Sequence, residues 1–141
     1  MSAPHVDAIY ADEPWLTIRW ESQHRCVNAE WKGFANSAQF RDGTLKILEA
    51  LRDKHAALLI SDNRRLEGVV GEDQLWLRDT WVPVAVAAGL RRIGVVVARQ
   101  GLGKIASNEI VGKFGKTAFL TRMFESVDEA TKWLVDTKPA D

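Results

Sequence analysis

Apolar and polar positions first alternate at residues 16–20, where Leu16, Ile18 and Trp20 are separated by Thr17 and Arg19. A period of two is that of a strand with one buried face. It recurs at Val27, Ala29 and Trp31 against Asn28, Glu30 and Lys32. The polar segment 21–25 between them predicts a hairpin, and Gly33 is expected to end the second strand. The period then becomes helical. Phe40, Thr44, Ile47, Leu48 and Leu51 share one face, and Asn36 with Gln39 three residues on makes a capping-box start. Residues 56–60 are a continuous apolar run closed by Ser61, Asp62 and Asn63, as in a central strand covered on both faces.

Asp73 is expected to open a helical region carrying Trp76, Leu77, Trp81, Val84, Ala87 and Ala88, with Gly89 at its end. Pro83 does not fit a regular helix interior, so it begins a second segment or causes a kink. Residues 93–98 predict a second buried strand, Gly101 and Gly103 a loop, 107–114 a short helix and 117–124 a further strand. Ser126-Val127-Asp128-Glu129 is a capping box opening a last helix that presents Val127, Ala130, Trp133 and Leu134. Residues 1–14 lack periodicity and are punctuated by Pro4 and Pro14, so a loosely ordered arm is expected there, a domain over 15–136 and a frayed tail over 137–141. With no internal repeat or linker, the order β-β-α-β-α-β-α-β-α predicts a single α/β domain. Its sheet is mixed and mostly parallel, with an N-terminal β-hairpin.

Charge changes this picture little. The 141 residues hold nineteen Lys+Arg and nineteen Asp+Glu. Zero net charge argues against a supercharged nucleic-acid binder, and no nucleic acid is expected as a partner. Locally the balance differs: residues 91–122 contain seven basic side chains (Arg91, Arg92, Arg99, Lys104, Lys113, Lys116, Arg122) and one acidic, Glu109. That run is a solvated face or a surface for an anionic ligand or partner. One cysteine, Cys26, permits no internal disulfide and suits a reducing compartment. The N-terminus does not read as a signal peptide, and the longest apolar stretch, 81–90, is too short to span a bilayer. A cytoplasmic protein without a transmembrane segment is expected.

Catalytic motifs fail one by one. Gly101-Leu102-Gly103-Lys104 follows a strand, but a phosphate-binding loop would need glycine at Ala98 and a hydroxyl at Ile105. His5, His24 and His55 lack metal-ligand spacing, so no metal or other cofactor is expected. No Gly-x-Ser-x-Gly elbow occurs, and Cys26 sits mid-strand as a buried thiol. Asp62 with a nearby arginine is the remaining acid–base pair. No catalytic residue is assigned.

Two binding sites are candidates. Ligands in open α/β sheets gather beyond the carboxyl ends of strands. Asp62, Asn63, Arg64 and Arg65 after one strand and Arg99 and Lys104 after the next would then form a polar, cationic edge. The second is the segment Trp76, Trp81 and Pro83. Two indoles five residues apart do not share one face of a regular helix, so one is expected at the surface or over an apolar cavity as a movable lid. Trp-rich surfaces and zero net charge also favour a protein partner or self-association.

Certain of these residues resemble a known family: Asp62 after a buried strand; Trp76, Pro83 and Gly89; a basic pair leading into Ile93-Gly94-Val95-Val96-Val97; and Phe124-Glu125-Ser126 with Glu129-Ala130-Thr131-Lys132-Trp133-Leu134. Over about residues 15–135 the chain resembles the bacterial SpoIIAA-like proteins of the STAS superfamily. The resemblance implies a small α/β domain of SpoIIAA-like (STAS) type and a non-enzymatic regulatory or protein-interaction role. Through a fold related to CRAL-TRIO lipid-binding domains, it also implies an alternative: binding of a small amphipathic or lipid-like ligand. Anti-sigma-factor antagonists carry a phosphorylatable serine in an Asp-Ser-Ser-Gly-like loop. Here the stretch is Ser61-Asp62-Asn63-Arg64-Arg65, and no serine follows Asp62 in the next ten residues. Phosphorylation-driven partner switching is therefore not expected.

Overall fold

A computed structural model describes residues 6–114 and 119–136. Along them run β1 (Val6–Glu13), β2 (Leu16–Glu21), β3 (Cys26–Ala35), α1 (Ser37–Lys54), β4 (Leu58–Val69), α2 (Gly71–Trp76), a π-helical turn (Leu77–Trp81), α3 (Val82–Ala87), β5 (Arg92–Val96), α4 (Leu102–Phe114), β6 (Leu120–Phe124) and α5 (Val127–Leu134). The described strands form one sheet in sequential order, β1-β2-β3-β4-β5-β6. The first two pairings are antiparallel and the last three parallel. The α/β class, the mixed, mostly parallel sheet and the hairpin over Glu21–Cys26 are as expected.

Each crossover steps to the next strand in the same direction, so a common right-handedness puts all three helical connections on one face. The core agrees. Phe40, Ile47, Leu51, Trp81, Ala85, Ala106 and Ile110 pack with Leu16, Ile18, Val27, Leu59 and Val95 in one large cluster. Only α5, which follows the last strand, takes the opposite face. It packs Ala130 and Leu134 on Cys26, Ile60 and Val96, and seats on Gly94, where an added Cβ would lie 3.1 Å from that of Ala130. Beyond α5 that face carries polar side chains on β2 and β3, beside the exposed Ile9 of β1 opposite Arg19. Lys32 donates to the Thr17 hydroxyl at 2.9 Å, and Arg19 meets Glu30 at 3.5 Å.

Helix boundaries follow their caps. The Asn36–Gln39 box is present in both directions, with α1 ending at His55 in the left-handed region. Ser126 accepts from the Glu129 amide at 3.1 Å. Several boundaries differ from expectation. Residues 6–13 of the expected arm form edge strand β1, while residues 1–5 and 137–141 lie outside the described residues. β1 carries register shifts between Val6 and Ala8 and between Ile9 and Ala11, and such bulges erase a period of two. Gly33 does not end β3. Its φ of +76° marks an irregularity that the strand passes through to Ala35.

β4 does not stop at residues 61–63 either, and runs on to Val69 because the polar side chains there find partners on both faces. α4 begins at Leu102, so Gly103 is helical rather than part of a loop, and α2 begins at Gly71 rather than Asp73. Residues 115–118 lie outside the described residues, leaving β6 described from Leu120.

Pro83 stands in the first turn of α3 and so begins the second helical segment, one of the two expected outcomes, without a break in the helical backbone. The Val82 amide bonds back five residues to the Leu77 carbonyl. That wide turn accommodates a residue that lacks an N–H and whose ring crowds the carbonyl four residues earlier. It also places both Trp76 and Trp81 toward the core.

Candidate functional site

The six residues of the expected polar edge separate because successive residues of a strand face opposite sides. Asp62 and Arg64 share the α5 face. The Arg64 guanidinium donates to both Asp62 oxygens, from Nε at 2.9 Å and from a terminal nitrogen at 2.7 Å. This hydrogen bonding raises the already high pKa of Arg64. With both carboxylate oxygens engaged, Asp62 is not positioned as a general base. Arg65, largely exposed, stands 3.7 Å from Glu30.

Arg99 pairs with Glu125 at 3.7 Å, and Lys104 donates to the Arg99 carbonyl at 3.2 Å. Only Arg64 and Arg65 of the six line a shared groove, together with Gly33, Leu66, Glu67 and residues 100–103. Lys104 borders a different one with Met123, Phe124 and Glu125. The single cationic edge is therefore not formed. The basic run 91–122 does not form one patch among the described residues: Lys113 donates to the Gln74 side chain at 2.8 Å, whereas Arg92 and Arg122 both lie over the Trp133 ring, and Lys116 lies outside the described residues.

Asn63 points the other way, into the layer between β4 and α4. Ser61 donates to its Oδ1 at 2.8 Å, and its Nδ2 donates to Ser107 Oγ at 2.9 Å. This polar row crosses one wall of a mostly apolar cavity of about 70 Å³ lined by Trp31, Phe40, Leu59, Leu66, Leu77, Trp81, Ile93, Ile110 and others, with Thr44, whose hydroxyl donates to the Arg41 carbonyl, as a further polar lining residue. The sequence places Asn63 on the expected polar edge and Ser61 among the residues that close the strand, and it does not single out Ser107. The available signal was helical spacing. Gly103, Ala106, Ser107 and Ile110 form the buried face of α4, and Ser107 is its polar member.

The expected lid is not a unit. Trp81 is a cavity wall, its indole N–H donating to the Thr44 carbonyl at 2.6 Å. Trp76 lies outside the cavity under the Arg41 guanidinium, 5.2 Å from its ring centre. Arg41 in turn donates to the buried Asp73 at 2.9 Å. Pro83 is exposed and lines no part of the cavity.

Cys26 is buried near Glu21, whose carboxylate lies 3.9 Å from the sulfur and 2.6 Å from His24. Burial, reinforced by the Glu21 charge, pushes the thiol up to about 12, the opposite of an activated nucleophile. Among the described residues no group of three or more His, Cys, Asp or Glu side chains is placed to hold a metal. No described helix is long and apolar enough to cross a membrane.

Comparison with known proteins places this geometry in a fold. The chain is similar to the crystal structure of an uncharacterised protein of the DUF3478 family from Shewanella loihica PV-4, described as having a SpoIIAA-like fold. The two are 16% identical, the match covers 95% of this chain and 98% of that one, and the TM-score is 0.57. At that identity the likeness establishes the fold, which is SpoIIAA-like. No protein-family model matches the sequence, and no curated protein matches it.

Proposed function

We propose that this chain is a non-enzymatic interaction module of STAS type, whose working face is the groove between the C-terminal half of β4 and the start of α4. The observation that carries this reading is the meeting of Arg64, Arg65 and Leu102 around that groove, Leu102 being 59% exposed. Arginine beside an uncovered apolar side chain is a composition suited to protein interfaces. The frame is rigid, since Asp62 holds Arg64 by two hydrogen bonds and Gly103 sits directly on the β4 backbone. The fitting partner is a protein that presents a carboxylate to Arg65 and an apolar side chain to Leu102. Phosphorylation of Ser61 is not favoured, because its hydroxyl is turned toward Asn63 and the cavity.

The test is site-specific photo-crosslinking in the cells that make the protein. A crosslinker at Leu102 is expected to trap a discrete protein adduct, and one at exposed Leu45 on α1 is not. Arg65→Glu should abolish the adduct and Arg99→Glu should spare it. Identical adducts from both positions, or an adduct indifferent to Arg65→Glu, would overturn the assignment.

A further inference from the structure

We infer that the cavity between α4 and the sheet is a binding site for a small, neutral molecule carrying one hydrogen-bond acceptor. Short-chain alcohols, ketones and primary amides are the chemical class. The inference is independent of the groove described above.

The polar row has donors left over. Asn63 is 6% exposed and Ser107 1%. Asn63 Oδ1 is taken by Ser61, and one Nδ2 hydrogen by Ser107. An amide nitrogen has two hydrogens and a hydroxyl has one to give. The second Asn63 N–H and the Ser107 O–H therefore have no acceptor among the described residues. Both belong to side chains that line the cavity. Buried donors favour an acceptor placed between them.

The remaining walls set the other requirements. Among the described residues no charged side chain lines the cavity, so an ionised carboxylate or ammonium would be desolvated without a counter-charge. The ligand is neutral. Its size follows from the volume of about 70 Å³, set against the roughly 150 Å³ of a cavity that holds benzene and the roughly 30 Å³ occupied by one water in the liquid. That space suits a body of about three or four heavy atoms, far short of a lipid chain. Val111 and Phe114 are the apolar lining residues that keep solvent exposure, which puts the mouth at the last turns of α4.

The probe is 1-propanol, followed by NMR on the intact chain. Saturable shifts are expected at the Trp81 indole N–H, the Asn63 side-chain amide and the Ile110 methyls, with a Kd on the order of 1 mM for so small a ligand. Sodium propionate, of similar size but charged, should leave these signals in place. Ser107→Ala should weaken propanol binding about tenfold, the loss of one buried hydrogen bond. The wild-type comparison of alcohol with carboxylate stands even if that variant does not fold. Three results would overturn the inference: no saturable shift, as when the cavity holds only ordered water; equal shifts with propionate; or unchanged affinity in folded Ser107→Ala.

Discussion

Gly103 lies against the backbone of Asn63 so closely that a Cβ on it would stand 2.3 Å from the Asn63 carbonyl oxygen and 2.8 Å from that of Leu66. This contact lets α4 sit directly on β4, bringing Ser107 within reach of Asn63. Both obstructing atoms are main-chain atoms of β4, which β3 holds in register at Asp62, Arg65 and Leu66, so neither yields as the end of a side chain would. Gly103→Ala should cost about 1–3 kcal/mol, the range for overpacking. Gly112, in the same helix, meets nothing within 4 Å among the described residues. Gly112→Ala should therefore stabilise by about 0.5–1 kcal/mol through helix propensity. Chemical denaturation of the two variants is expected to give midpoints on opposite sides of the parent's.

Tyr10, the one tyrosine of the chain, donates its hydroxyl to Asp53 and so ties β1 to α1. Burial, then the hydrogen bond and charge of Asp53, push its phenol up to about 12. A folded-state pKa raised above the unfolded value near 10 favours the fold below about pH 10. That contribution is lost as pH rises from about 10 to about 12. Ultraviolet titration of the tyrosinate band should show a midpoint near 12 in the folded protein, lowered toward 10 by Asp53→Asn. A midpoint that Asp53→Asn leaves unmoved would contradict this contact.

Arg64 and Arg65 are adjacent in sequence and unequal in consequence. Arg64 neutralises the buried Asp62 through two short hydrogen bonds, whereas Arg65 reaches Glu30 at 3.7 Å from the surface. Arg64→Ala leaves a buried carboxylate without its partner and should cost about 1.5–3 kcal/mol. Arg65→Ala should cost less than about 0.5 kcal/mol. Equal thermal shifts in the two variants would show that the bidentate pair does not form in solution.

Cys26 should be silent toward thiol reagents in the folded state. It is buried, and its thiol is held up to about 12, chiefly by desolvation. A thiol–disulfide reagent at mildly alkaline pH is expected to react with no cysteine in the native protein and with one in denaturant. Rapid native reaction would mean that the β2–β3 hairpin opens on the timescale of the reagent.

The elements read correctly in advance are those whose signal is local. The α1 capping box, the α5 N-cap, the alternation of β2 and β3 and the apolar run at the start of β4 depend on neighbours a few residues away. The site was less legible. Ser61, Asn63 and Arg64 carry turn-forming and charged side chains, so the local signal ends the strand at Ser61. The strand continues because Asn63 finds Ser107, 44 residues on, and Arg64 finds Asp62. β1 was hidden by bulges that break its period. The lid failed because a π-helical turn changes which residues share a face.

The sequence by itself determined the class of fold: the alternation of periods two and 3.6 specifies which segments are strands and helices, and short connections of one handedness leave few ways to assemble them. The tertiary structure alone decided which polar side chains meet. Side chains adjacent in sequence on a strand diverge to opposite faces of the sheet. Asp62 and Asn63 thus serve different layers, and the partners that satisfy them are chosen by packing distance, which no local pattern encodes.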